Sequence, residues 1–353
     1  MPVLFLIAGI CLLVLGAETL VRGASRLAAA AGIAPVVVGL TVVAFGTSAP
    51  ELAVSIKASL GGQGDIAVGN VVGSNIFNVL FILGASALVV PLVVTRQLIR
   101  LDVPVMIGVS AAALIMGLDD EFGRIEGVVL VSGLVVYVGF LVLLERHGKN
   151  AEERIETEAP GSRRSWVRDA FFVAGGLALL VLGSRWFVDS AMAIAQLLGV
   201  SQVVIGLTVV AVGTSMPEVV TSLVASVRGE RDIAVGNVVG SNIFNVLGVL
   251  GLAAIVSADG IEVNASLRSF DMPVMIAVAF ACFPIFLSGG RISRWEGVLL
   301  LTYYAAYTTY LLLDAAQHGA LAGFSFVMVY FTIPLTVLTL LVIAFHAGRR
   351  APR

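Results

Sequence analysis

The chain has 353 residues, 59% of them hydrophobic and only 12% charged, with 21 Lys and Arg against 23 Asp and Glu for a formal net charge of -2. A mean hydropathy of +1.03 excludes a soluble globular protein and predicts an all-α polytopic membrane protein, with the lipid bilayer as its first partner. There is no basic face to suggest nucleic acid, and Cys11 and Cys282 fall inside apolar runs, as small core residues rather than a disulfide framework.

A bilayer core takes about 20 apolar residues per helix. Such segments lie near residues 2–22, 33–57, 66–91, 102–118 and 125–144. The first is followed, not preceded, by Arg22 and Arg26, so it reads as a transmembrane helix and not a cleavable signal. A polar linker over 145–167 comes next, and the pattern restarts near 168–188, 200–227, 233–257, 270–289 and 295–314. A final apolar run, Leu321 to His346, has no counterpart in the first half and reads as an eleventh, packing helix kinked by Pro334. The division expected is therefore 1–144, 145–167, 168–314 and 315–353.

Two passages occur twice. GLTVVAFGTSAPE runs from Gly39 to Glu51 and GLTVVAVGTSMPE from Gly206 to Glu218; DIAVGNVVGSNIFNVL runs from Asp65 to Leu80 and again from Asp232 to Leu247, all at a constant offset of 167. The repetition continues in Asp102-x-Pro104 with Asp271-x-Pro273 and in Arg124-x-Glu126-Gly127 with Arg294-x-Glu296-Gly297. Each half is thus a five-helix unit, and an odd helix count inverts the second relative to the first: two inverted five-helix repeats form a ten-helix core.

The basic residues agree with one orientation. With the N-terminus outside and the C-terminus cytoplasmic, inner segments hold Arg22, Arg26, Arg96, Arg100, six residues of the linker region, Arg228, Arg231, Arg291, Arg294, Arg349, Arg350 and Arg353. Outer ones hold only Lys57, Arg124 and Arg268, roughly 17 against 3. The lack of an organellar presequence points to a prokaryotic inner (plasma) membrane.

The chemistry gathers at the repeated passages. Pro50 and Pro217 lack an amide hydrogen and free the carbonyls near Gly46 and Gly213, so two helices are expected to break at mid-membrane, with Glu51 and Glu218 just after the breaks. Ser74 and Asn78 share a helix face, as do Ser241 and Asn245. With the hydroxyls of Thr47, Ser48, Thr214 and Ser215, these groups make an all-oxygen cage suited to hard cations. No cluster of imidazole or thiolate offers a site for softer metals; His147, His318 and His346 lie in or near loops and the tail.

GTSAPE with GNVVGSNIFN, followed by GTSMPE with GNVVGSNIFN, resembles the paired alpha-repeats of the calcium/cation antiporter superfamily, in particular its prokaryotic sodium/calcium exchangers. The resemblance covers nearly the whole chain through residue 314. It implies four central ion sites and alternating access, with the first helix of each half sliding against a fixed core. It implies calcium ligands at Glu51 and Glu218 with the carbonyls of Thr47 and Thr214. Sodium ligands are implied at Ala44, Ser48, Ser74, Asn78, Ala211, Ser215, Ser241 and Asn245. Some relatives carry Asp where this chain has Asn245, a departure that removes a titratable carboxylate. The function expected is a monomeric, cofactor-free antiporter, not an enzyme, exchanging calcium for sodium; the alternative is proton-coupled or other-cation exchange through the same site.

Other readings are weaker. Gly62-Gln63-Gly64-Asp65 spells the GxGD of an intramembrane protease, but in a predicted outer loop and without a second aspartate at depth. No HExxH and no phosphate-binding Gly-rich loop with Lys is present, which argues against a zinc enzyme and against ATP drive. Glu18 with Arg22 and Arg185 with Asp189 read as local pairs, and Asp102 and Asp271 as helix caps.

Overall fold

A computed structural model describes residues 2–147, 163–198, 211–287 and 289–339. The helices are α1 (Pro2–Ala31), α2 (Pro35–Thr47), α3 (Ala49–Leu60), α4 (Gly64–Val89), α5 (Leu98–Asp119) and α6 (Arg124–His147) in the first half. In the second half they are α7 (Arg163–Leu197), α8 (Ala211–Thr214), α9 (Met216–Val227), α10 (Arg231–Val256), α11 (Leu267–Leu287), α12 (Arg294–Ala315) and α13 (Leu321–Thr339). Nine of these are long and apolar enough to span a bilayer, and α2 with α3 makes a tenth, bent span. The seventh expected span is described only from Ala211 onward; most of the expected linker, the start of that span and the basic tail lie outside the described residues.

α1 and α7 are longer than the apolar runs that announced them, because the residues beyond those runs, such as Arg26–Ala31 (RLAAAA), are good helix formers. Gly62 and Gly229, 167 apart, close the turns after α3 and α9 with φ of +70° and +85°, the left-handed region that glycine enters without a Cβ penalty.

Four short strands fix the relation of the halves: β1 (Leu92–Val93), β2 (Glu121–Phe122), β3 (Ile261–Glu262) and β4 (Arg291–Ile292). β1 pairs antiparallel with β4, Leu92 opposite Ile292, and β2 with β3, Phe122 opposite Ile261. α5 runs from β1 to β2 and α11 from β3 to β4, so these two repeat-related helices point in opposite directions. The expected inversion is therefore built into the strand pairing. It also gives the bundle two ends. Lys57, Arg124 and Arg268 fall at the β2/β3 end, while Arg22, Arg26 and Arg228 fall at the β1/β4 end, the partition read from the sequence.

α4 and α10 form the centre, with 72% and 89% of their spans buried. α1 and α7 lie antiparallel along a glycine seam: a Cβ on Gly9 would sit 2.9 Å from the Gly183 carbonyl, and one on Gly16 2.9 Å from that of Gly176. α13 buries none of its span and touches α12 through Tyr303, whose hydroxyl donates to Thr336 Oγ1 (2.7 Å). A wide π-helical turn over Met328–Thr332 precedes Pro334 and takes up its missing amide bond. Two local expectations are corrected: Cys11 is exposed on the outward face of α1, and Arg185 and Asp189 form no ion pair among the described residues.

Candidate functional site

The first break is at Ser48 (φ -80°, ψ 10°), where α2 and α3 meet at a 46° bend. Ser48 N still donates to Ala44 O and Leu52 N to Ser48 O, both at 3.1 Å, but Pro50 supplies no hydrogen for Gly46 O. The second break, at Ser215 (φ -85°, ψ 8°), repeats this geometry. There the carbonyl freed by Pro217 is already engaged: Ser184 Oγ of α7 donates to Gly213 O at 2.8 Å. Ser184 was not singled out in the sequence, because its counterpart 167 residues earlier is Ala17 and the repetition gives no signal.

Ser48 and Glu51 have the spacing of a capping box, yet neither caps its own helix. Ser48 Oγ donates across the repeat boundary to Glu218 Oε1 (2.8 Å), and Ser215 Oγ donates to Glu51 Oε1 (2.8 Å) while lying 3.2 Å from Ser74 Oγ. Each carboxylate is held by the hydroxyl of the opposite break. Glu51 is 1% exposed and Glu218 0%, so both acids meet inside the protein and not at its lipid face.

Beside them, α4 and α10 cross through a ring of asparagines. Asn78 Nδ2 donates to Asn242 Oδ1 (3.0 Å) and Asn245 Nδ2 to Asn75 Oδ1 (3.1 Å). Asn75 and Asn242 each donate to the other's backbone carbonyl (3.1 and 3.3 Å). Asn70 braces the first break, donating to Glu51 O (3.2 Å) and Ser55 Oγ (2.9 Å); Asn237 donates to Ser222 Oγ (3.0 Å) and accepts from Thr47 Oγ1 (3.1 Å). Asn70, Asn75, Asn237 and Asn242 are not among the residues expected from the sequence to line the cage. Their signal was the verbatim duplication of the whole segment, not only of its Ser and final Asn.

Of the residues expected to line the cage, Ser48 is joined to Glu218, Ser215 is joined to Glu51 and Ser74, and Asn78 and Asn245 sit in the asparagine ring. Ser241 is buried nearby in sequence on α10. Thr47 and Thr214 are buried within the breaks, and the Ala44 carbonyl accepts from Ser48 N and Thr47 Oγ1. Ala211 begins α8, described in its backbone only.

Four carboxylate and amide oxygens in this cluster are buried without a hydrogen-bond partner, Glu51 Oε2, Glu218 Oε2, Asn78 Oδ1 and Asn245 Oδ1, two repeat-related pairs, and so is the hydroxyl of Ser241. A bare buried acceptor costs about 1–3 kcal/mol, and more when charged, so four such oxygens together are an arrangement chemically able to take up a cation. Among the described residues no group of three His, Cys, Asp or Glu is assembled. The donor set is two carboxylates with amides and hydroxyls, the hard-oxygen chemistry of calcium and sodium rather than of zinc or copper.

Asp102 and Asp271 are not caps. Asp102 Oδ1 accepts from Tyr137 OH (2.9 Å) and Asp271 Oδ1 from Tyr307 OH (2.7 Å), each tied to the helix that follows its own.

Inverted halves that meet at two broken helices around a polar centre are the architecture of a secondary transporter. The chain belongs to the sodium/calcium exchanger protein family, whose model matches residues 1–143 and 169–313. It is 39% identical over 313 residues to the putative antiporter CaxA of Alkalimonas amylolytica, covering 86% of this chain and 96% of that one. It is 40% identical over 281 residues to the inner membrane protein YrbG of Escherichia coli (strain K12), covering 78% and 86%. Its fold matches the sodium-calcium exchanger NCX_Mj, soaked with 10 mM sodium and no calcium, with a TM-score of 0.75 at 32% identity, covering 89% of this chain and 98% of that one. The protein is a multi-span membrane transporter of that family.

Proposed function

We propose that this protein exchanges calcium for sodium across the plasma membrane by alternating access, both ions competing for the cage between the two breaks. The observation that carries the reading is the set of four bare buried oxygens, Glu51 Oε2, Glu218 Oε2, Asn78 Oδ1 and Asn245 Oδ1. Two carboxylates balance the charge of one calcium, and hydroxyls and amides complete a shell of six to eight oxygens. Calcium is held by Glu51 and Glu218 with the carbonyls of Thr47 and Thr214. Sodium is held by Ser48, Ser74, Asn78, Ser215, Ser241 and Asn245 with the carbonyls of Ala44 and Ala211.

The β1/β4 end, richer in arginine, faces the cytoplasm, with the N-terminus outside and residues 145–167 as a cytoplasmic linker. The inner-membrane designation of YrbG supports the plasma membrane as the location. Residues 315–353 add a peripheral helix and tail to a monomeric transporter that needs no cofactor.

The test is calcium uptake into vesicles driven by an outward sodium gradient. Uptake is expected in the native protein and its loss in Glu51→Gln and Glu218→Gln; sodium-driven uptake by either variant overturns the reading. Replacing the sodium gradient by a pH gradient separates the couplings, since uptake that follows pH and ignores sodium assigns the exchange to protons.

A further inference from the structure

The two buried Asp–Tyr pairs have no part in the cage, yet they stand at repeat-related positions and differ in one respect. Asp102 is 0% exposed, and its Oδ2 is buried without a hydrogen-bond partner. Asp271 is 7% exposed and opens onto a cavity of about 320 Å³, whose wall also includes Asn70, Thr214, Tyr307 and Thr308. Asn70 holds the Glu51 carbonyl and Thr214 belongs to the second break, so this cavity reaches the back of the cage. The counterpart cavity, about 350 Å³, is lined by Tyr137 but not by Asp102. α2 lies against α10 on that side, where a Cβ on Gly240 would sit 2.6 Å from Leu40 Cα.

We propose that Asp271, with Tyr307 and Thr308, is a way-station for a hard cation on the route between the β2/β3 end and the cage, and that Asp102 with Tyr137 is its counterpart on the opposite route. Neither aspartate is ion-paired to a basic side chain among the described residues. A carboxylate inside a transmembrane bundle is costly unless it has a task, and a tyrosine hydroxyl needs only a neutral acceptor, which asparagine supplies equally well. The charge, not the hydrogen bond, is what the position retains. The proposal rests on the cage being an ion site.

The experiment measures the half-saturating calcium concentration at each face of oriented vesicles, together with equilibrium calcium binding by titration calorimetry. Asp271→Asn keeps an acceptor for Tyr307 and removes the charge. It is expected to raise half-saturation on the order of tenfold at the β2/β3 face alone, with equilibrium binding unchanged. Asp102→Asn is expected to do the same at the opposite face. Unchanged half-saturation at both faces overturns the proposal, as does an equal change at both. So does a Tyr307→Phe variant that reproduces Asp271→Asn, since the aspartate is then only a tether.

A second arm avoids dependence on folding of the aspartate variant. Thr308→Cys in a Cys11→Ala, Cys282→Ala background is folded first and then modified. A cationic thiol reagent is expected to block uptake from the β2/β3 face more than a neutral reagent of equal size; equal effects overturn the idea. If Glu51→Gln and Glu218→Gln still bind calcium, the cage reading fails; if they do not and Asp271→Asn is silent, only the way-station fails.

Discussion

At the β1/β4 end, Glu18 of α1 is bonded to Arg22 (2.5 Å) and to Arg228, and Ser25 Oγ donates to Glu230 (2.7 Å), so α1 is fastened to the turn between α9 and α10. The repeat-related positions at the other end are Arg185, Asp189, Gly61, Met192 and Gln63, which offer no such fastening. There the surface is instead an open basin of about 760 Å³ rimmed by Asp65, Asp119, Asp120, Glu121, Asp259 and Glu262, with Asp120 paired to Arg268. The duplication preserved the backbone and the cage, while the two ends diverged. One end carries a ring of carboxylates, and the other holds α1 through partly exposed ion pairs.

Four perturbations test this contrast, from the largest effect to the smallest. Glu51→Gln and Glu218→Gln act on the symmetric centre and should each weaken calcium binding on the order of 100-fold or more by calorimetry, as loss of a charged ligand in a buried shell implies. A large effect from only one of them breaks the two-fold reading of the cage. Gly240→Ala drives a methyl group into the Leu40 backbone and should lower stability by about 1–3 kcal/mol in thermal unfolding.

Ser184→Ala removes the cap on the Gly213 carbonyl, for which the first repeat has only Ala17, and should cost about 1–2 kcal/mol by the same measurement. Glu18→Gln loosens a fastening that is about a third exposed and should shift the ratio of half-saturating calcium at the two faces by no more than about fivefold, consistent with roughly 0.2–1 kcal/mol. An equal shift from Arg185→Gln erases the contrast between the ends.

The sequence made the centre legible because it states it twice: the breaks, Glu51 and Glu218 stand inside duplicated passages, and the odd helix count required the inversion that β1–β4 and β2–β3 pairing displays. What stayed hidden depends on partners distant in the chain. Asp102 and Asp271 look like caps beside Pro104 and Pro273, because the tyrosines that hold them stand 35 and 36 residues further on. Asn75 and Asn242 were missed because each is satisfied by the opposite repeat, 167 residues away, and local helix periodicity carries no record of that. Cys11 was misplaced for a different reason: in lipid an apolar run does not say which face is buried.

The glycine seam between α1 and α7 has a mechanical meaning. Where Gly16 meets Gly176 and Gly9 meets Gly183, backbone rests on backbone, with Leu12 and Leu179 closing against the glycines from either helix. That closeness leaves no room for growth: a methyl group at Gly176 would meet Leu20 N at 2.6 Å and force the two helices apart along their whole seam.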